Sequence, residues 1–215
     1  MILQELREEL ISIGIQLKEY GLITLTGGNV SGRDPKTGLV AITPSGMAYE
    51  ALEAQDVVVV NLDGEIIDGE RKPSSDLITH LQIYRAKEDI NGIIHTHSTY
   101  ASCFAILNEP IPVISTTMAN EVGGDVPVAP YAHVGSKELG ENIIRNIGKQ
   151  KAVLLQDHGV ISYGEDPNHA LIAAVMLEDA AKVYYLARNI GEPKRISDEA
   201  IQEASNLFKY TYGQK

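Results

Sequence analysis

The sequence predicts an α/β domain: a mixed β-sheet with helices on both faces. Three observations carry this. Helical and strand patterns alternate along all 215 residues. An Asp63-Gly64 pair stands between two β-rich runs, a two-residue hairpin signal that implies antiparallel neighbours and argues against a pure βαβ repeat. No repeat, linker or low-complexity tract divides the chain, so residues 1–215 read as one domain.

Leu3, Leu6, Leu10, Ile13 and Leu17 recur at steps of three and four, which predicts an amphipathic helix over 2–20 closed by Gly21. Thr24 to Asp34, with Gly27-Gly28-Asn29 and Gly32, reads as a stretch of turns. Gly38 to Thr43 is a short strand before the turn Pro44-Ser45-Gly46, and Val57–Leu62 pairs with Glu65–Ile67. Ser74 or Ser75 caps a helix to about Lys87, with Leu77, Leu81 and Tyr84 on one face. Gly92–His97 is a buried strand and Thr99–Leu107 a helix. Residues 109–130, rich in Pro and Gly, read as a strand plus loops. Ser136–Ile147 is a capped helix, and Ala152–Leu155 and Val160–Tyr163 are strands around Asp157-His158-Gly159. Two helices follow, one from Pro167 to about Asn189 and one from Ser197 to about Lys209.

The composition, 44% hydrophobic and 22% charged, is that of an ordinary globular chain. Its 18 Lys+Arg against 29 Asp+Glu leave a net charge of −11. This argues against nucleic-acid binding, which draws its affinity from basic residues on phosphates, and against docking on an anionic membrane. A phosphorylated ligand would need a local site of neutral donors. The single cysteine, Cys103, excludes intrachain disulfides and multi-thiolate metal sites. Charged residues throughout Met1–Tyr20 are unlike a signal peptide or a membrane span, so the expected location is the cytoplasm.

His95 and His97 flank Thr96 on a predicted strand, so both imidazoles project from one side, about 7 Å apart at the backbone. Such a pair can chelate a divalent metal, although two hydrogen-bonded strand histidines leave the same pattern. His158, at a strand-ending turn, is a third candidate ligand. Asp76, at a helix start, could be a fourth ligand or a general base. Three histidines and a displaceable carboxylate make a catalytic type of site with room for substrate. His80, His133 and His169 lack that context; His80, on a helix, and His169, near a helix start, read as surface or capping residues. Gly27-Gly28-Asn29, Ser45-Gly46 and Ser74-Ser75 place backbone N–H groups and small donors in turns or at a helix start, which suits an anion.

Several motifs occur together in order: Gly28-Asn29-Val30-Ser31, Thr43-Pro44-Ser45-Gly46, Pro73-Ser74-Ser75-Asp76, His95-Thr96-His97-Ser98, Ala129-Pro130-Tyr131, Asp157-His158-Gly159 and Tyr212-Gly213-Gln214. With them the chain resembles the class II aldolase/epimerase superfamily, which includes L-fuculose-1-phosphate aldolases, L-ribulose-5-phosphate 4-epimerases and the adducin head. The resemblance implies a three-layer αβα fold on a mixed, largely antiparallel sheet, in a homotetramer with sites between subunits. It implies Zn²⁺, or Mn²⁺ or Co²⁺, on His95, His97 and His158 with Asp76 adjacent. Gly28, Asn29, Ser45, Gly46, Ser74 and Ser75 would hold a substrate phosphate, and Asp76 and Tyr212 would be catalytic.

The activity so implied is metal-dependent cleavage of a ketose 1-phosphate, of the L-fuculose 1-phosphate type, to dihydroxyacetone phosphate and an aldehyde. Asp76 matches the epimerases, whereas the aldolases typically carry Glu there. The epimerases' acid–base Asp is Asn120 here, which does not titrate, and Val126–Tyr131 reads like the aldolases. An epimerase of pentulose 5-phosphates is therefore the alternative, followed by a sugar-acid phosphate decarboxylase and a non-catalytic adducin-like interaction module.

Overall fold

A computed structural model describes residues 1–211; Tyr212, Gly213 and Gln214 lie outside the described residues. Helix α1 (Gln4–Glu19) buries the predicted stripe at Leu10, Ile13 and Leu17. It closes through Gly21 N–H to Lys18 O and Leu22 N–H to Leu17 O, a Schellman arrangement. Next come strands β1 (Asn29–Arg33), β2 (Val40–Ile42), β3 (Val58–Val60) and β4 (Ile66–Asp68). Helix α2 (Leu77–Ala86), strand β5 (Gly92–Thr96), and helices α3 (Thr99–Ile106) and α4 (Thr116–Glu121) follow. The chain continues with β6 (Val128–Ala129), α5 (Lys137–Asn146), β7 (Ala152–Leu155), β8 (Gly159–Gly164), α6 (Pro167–Arg188) and α7 (Asp198–Thr211).

The eight strands form one sheet in the order β4-β3-β2-β1-β5-β8-β7-β6. Every neighbouring pair is antiparallel except β6 and β7, so the sheet is mixed and largely antiparallel. Alternate residues feed opposite faces. Val40, Ile42, Val58, Val60, Ile93, Val153 and Ile161 pack with Leu81 and Tyr84 of α2 and Leu139 and Ile143 of α5. Val30, Ala41, Val59 and Ile94 face Leu10, Ile13 and Leu17 of α1 and Leu171 and Ala174 of α6. On that side also, Ala152, Leu154 and Val160 meet α3, α4 and Leu177 of α6. Three layers result. Among the described residues, no helix is long and apolar enough to cross a membrane.

Five local expectations are corrected. The predicted turns of Thr24–Asp34 contain β1, in the middle of the sheet. Asn29 and Ser31 fill its α2-facing side with hydrogen-bonded polar groups, which hides the apolar alternation. The 109–130 segment carries α4 as well as β6. Ser115 starts that helix by accepting the Met118 N–H. The Asp63-Gly64 hairpin has a three-residue loop, Leu62–Gly64. Asn61 N–H donates to Glu65 O, Gly64 N–H to Asn61 O, and Gly64 has φ 86°. The Asn61 carboxamide oxygen accepts the N–H groups of Asp63 and Glu65 and widens the turn by one residue.

The start of α2 is the fourth. Asp76, not Ser74 or Ser75, occupies its N-cap position, and its carboxylate makes no capping bond. Ser74 Oγ instead accepts the Asp76 N–H. His80 is the last: it is fully buried rather than on the surface, because it lies on the face of α2 that carries Tyr84. His169 holds to expectation. It sits at the start of α6, where its N–H and ring Nδ1 both meet Asp166 Oδ1 at 2.8 Å.

Candidate active site

The antiparallel register of β1 and β5 places Asn29 opposite His95 and Ser31 opposite Ile93. Asn29, Ser31 and His95 therefore share the face that α2 covers. His97 lies just beyond the end of β5, and His158 comes from the β7–β8 turn. The three rings nevertheless converge. Their centroids are 4.6 Å apart for His95–His97, 4.6 Å for His95–His158 and 5.2 Å for His97–His158. One ring nitrogen from each lies within 4.8 Å of the others.

Two glycines make that convergence possible. A Cβ on Gly159 would stand 2.5 Å from Thr96 O, 2.8 Å from His97 Cδ2 and 3.3 Å from His95 Cε1. Gly28, at φ 77°, passes so close to β5 that a Cβ would stand 2.6 Å from His95 O. Both packing distances are impossible for a side chain, so β1 and β8 approach His95 only with glycine there. Asp157, at φ 56°, turns the chain so that His158 enters the cluster.

The donor set fits a divalent ion. His95 Nδ1 bonds the Val160 carbonyl at 2.9 Å, which leaves Nε2 as the ligand atom and fixes the ring. His95 Nε2 and His97 Nε2 are 3.0 Å apart. Two nitrogens at tetrahedral angles around one zinc would be about 3.3 Å apart. Asp76 Oδ2 is 4.0 Å from His95 Nε2, close enough to serve the ion or a bound substrate.

Electrostatics agree. Burial, followed by the neighbouring histidines, pushes His95 down to about 3 against the opposing pull of Asp76. Burial and His97 also lower His158. Both rings are thus neutral near pH 7, as metal ligation requires. Burial alone would raise Asp76, but His95, His80, the Asn29 amide and His158 outweigh it and hold the carboxyl below its ordinary value. The result is a buried carboxylate, 6% exposed, beside three imidazoles.

The other predicted residues fall into two groups. Ser45 N–H donates to Lys72 O and Ser74 N–H to Thr43 O, a short bridge that sets Ser45-Gly46 beside Ser74-Ser75. Ser45, Gly46 and Ser75 are exposed, whereas Ser74 is buried. Among the described residues, the backbone N–H groups of Gly28, Gly46 and Ser75 have no protein acceptor. Asn29 behaves differently: its Nδ2 donates to Asp76 Oδ2 at 2.7 Å. Asn120, on α4, lines a cleft with Gln150 and Tyr163 at the end of the sheet opposite the histidines. Sequence reasoning missed the Asn29–Asp76 bond and the burial of His80. The four-residue spacing of Asp76, His80 and Tyr84 was the available signal for the second.

The profile of the class II aldolase and adducin N-terminal domain family matches residues 8–185. A 5-deoxy-D-ribulose 1-phosphate aldolase of Bacillus thuringiensis serovar kurstaki is 41% identical over 215 residues, covering 100% of both chains. The solved structure of an L-fuculose 1-phosphate aldolase superposes with a TM-score of 0.91 at 39% identity, covering 96% of this chain and 97% of that one. The L-fuculose-1-phosphate aldolase of Thermus thermophilus superposes with a TM-score of 0.74 at 26% identity, over 86% and 95% of the respective chains.

Proposed function

The chain belongs to the class II aldolase and adducin N-terminal domain family, and from that premise we propose that it cleaves a ketose 1-phosphate to dihydroxyacetone phosphate and an aldehyde. The observation that carries the reading is the convergence of His95, His97 and His158, with Asp76 Oδ2 4.0 Å from His95 Nε2. A non-catalytic interaction module has no use for three imidazoles packed at such distances beside a charged, buried carboxylate.

His95, His97 and His158 would hold Zn²⁺, or Mn²⁺ or Co²⁺, since such donor sets accept several ions. When bound, the ion supplies Lewis-acid stabilisation of the negative charge that carbon–carbon cleavage beside a ketone generates. Asp76, ionised and held by Asn29, moves the proton at the substrate carbon. The unpaired N–H groups of Gly28, Gly46 and Ser75, with the hydroxyls of Ser45, Ser74 and Ser75, take the phosphate and orient the substrate from a distance. Tyr212, which matches a catalytic tyrosine of the family, would serve the aldehyde oxygen.

The two substrates named for the relatives with the highest identities above, 5-deoxy-D-ribulose 1-phosphate and L-fuculose 1-phosphate, both end in a methyl carbon. Cleavage between their third and fourth carbons leaves acetaldehyde or lactaldehyde. A short, methyl-ended aldehyde is therefore the proposed second product. The runner-up, epimerisation of a pentulose 5-phosphate, has Asp76 in its favour, but Asn120 offers no titrating acid.

We further read the chain as one domain that forms a cytoplasmic homotetramer with its active sites between subunits. Ile106, Leu107, Leu186 and Ile190, exposed at the ends of α3 and α6, offer apolar surface for such packing. Light scattering after gel filtration measures the subunit number. For the reaction, the protein is loaded with Zn²⁺ and mixed with dihydroxyacetone phosphate and either acetaldehyde or lactaldehyde. A new ketose 1-phosphate is the expected product. No condensation, together with interconversion of ribulose and xylulose 5-phosphates, would replace the aldolase reading with the epimerase one.

A further inference from the structure

His80 is the one fully buried histidine outside the metal-ligand candidates, and the reaction as described leaves it unused. Its Nδ1 lies 2.7 Å from Ser31 Oγ, and Ser31 Oγ lies 2.8 Å from Tyr84 OH. Its other nitrogen, Nε2, is buried and has no hydrogen-bond partner. Asp76 is four residues earlier, at the N-cap position of α2, and His80 N–H donates to the Asp76 carbonyl. Helical side chains lean towards the N-terminus, so the His80 ring tilts back over the Asp76 side of the helix. The acidic group that acts on this ring is Asp76.

The chain of bonds can run in two directions. If His80 carries its proton on Nδ1, it donates to Ser31, and Ser31 donates to Tyr84. The Tyr84 O–H then has no side-chain acceptor, and Nε2 keeps a buried lone pair that no donor fills. In the opposite direction, Tyr84 O–H donates to Ser31 and Ser31 O–H to Nδ1. The proton of His80 then sits on Nε2, where it meets the field of a carboxylate. Only this second order pairs both hydroxyl donors and leaves a donor, not an acceptor, on the free nitrogen of a ring that has a carboxylate for its charged neighbour.

We propose that His80 is a positioning residue for Asp76, with Ser31 and Tyr84 holding it in the Nε2–H tautomer, so that a buried N–H that makes no hydrogen bond of its own stands near the Asp76 carboxylate and steadies its charge. Asn29 and Ser31, two residues apart on one face of β1, meet Asp76 and His80, four apart on one face of α2. The strand thereby grips both the carboxylate and the imidazole behind it. This inference rests on the reading of Asp76 as the proton-moving group.

Two measurements test it. Nitrogen-15 NMR of the histidines in the metal-free chain, with His80 assigned by loss of its signals in His80→Gln, reads the tautomer directly. The Nε2–H form is expected, with its Nε2 resonance displaced in Asp76→Asn. The Nδ1–H form, or a resonance indifferent to Asp76→Asn, overturns the proposal. In steady-state kinetics, His80→Leu lowers kcat about 10- to 100-fold with KM changed less than about threefold. His80→Gln, whose amide N–H reaches the Nε2 position, recovers to within about threefold of wild type. In an Asp76→Asn background, His80→Leu costs less than a further ~threefold. Equal losses for Leu and Gln, or full additivity with Asp76→Asn, overturn it. If the wild-type chain shows no aldolase activity, the functional reading falls, while the tautomer still decides the relation of His80 to Asp76.

Discussion

Asn29 Nδ2 donates to Asp76 Oδ2 at 2.7 Å, across the seam between the central strand β1 and the start of α2. The bond is buried, charge-assisted and directly opposite His95 in the sheet. It explains why Asp76, at the N-cap position, does not cap its own helix. It also means that Asn29, expected from the family resemblance to hold phosphate, spends one of its two side-chain N–H groups on the carboxylate.

Replacing that donor should therefore damage the carboxylate more than substrate affinity. Asn29→Ala is expected to destabilise the metal-free chain by about 1.5–3 kcal/mol, the range for a hydrogen bond to a charged group. Its kcat should fall more than its KM rises. Urea unfolding and steady-state kinetics check the two halves. A variant with unchanged kcat and a large KM would leave Asn29 with the phosphate-binding role alone.

Gly159→Ala tests the packing of the cluster itself. The added methyl would press on Thr96 O at 2.5 Å and His97 Cδ2 at 2.8 Å, and the first of these is backbone and cannot swing away. A cost of about 1–3 kcal/mol is expected from overpacking, with weakened metal retention because the rings of His97 and His95 must shift. Dialysis followed by elemental analysis measures the metal. Full retention in a folded Gly159→Ala protein would show that the cluster does not need this close approach.

Ligand and phosphate residues should separate kinetically. His95→Ala removes a fixed imidazole and is expected to abolish metal retention, with loss of activity that excess metal does not restore. Ser75→Ala, at an exposed position beside Ser45-Gly46, should mainly raise KM and leave metal content intact. An unaltered metal content in His95→Ala would remove the ligand assignment.

The layers, most elements and the three-histidine set were legible in the sequence because each rests on a local pattern. The stripe of α1 announces itself by periodicity, and β3 and β7 by short unbroken apolar runs. The His-x-His pair needs only strand geometry. What the sequence hid is polar burial. Asn29 and Ser31 look like turn residues, yet they lie in the central strand because their hydrogen bonds to Asp76 and His80 satisfy them there. His80 resembles a solvated helix histidine until Ser31 is seen opposite it. Gly159 reads as a turn glycine, and only the tertiary approach of β5 and β8 reveals why no side chain fits. These are long-range pairings, separated by 47 and 49 residues for the two hydrogen bonds, and no local periodicity encodes them.

The buried histidines also set the acid limit of the metal-free protein. Burial pushes His80 down to about 4, opposed by Asp76, and His95 down to about 3. An unfolded histidine titrates near 6.5. Between about pH 6.5 and 4 the unfolded chain therefore binds protons that the folded chain refuses. Stability is full above pH 6.5 and is lost as the pH falls through that window, with a slope approaching about 1.4 kcal/mol per pH unit for each proton taken up. Asp76, held below its ordinary value, acts in the same direction at lower pH: its stabilisation is lost as acid protonates it. Urea midpoints at pH 7, 6 and 5 should fall progressively in chelator-treated protein. His80→Leu, which removes one of these groups, should flatten the slope. A midpoint that stays constant from pH 7 to 5 would show that the rings take up protons without leaving the fold, and that burial does not hold them neutral.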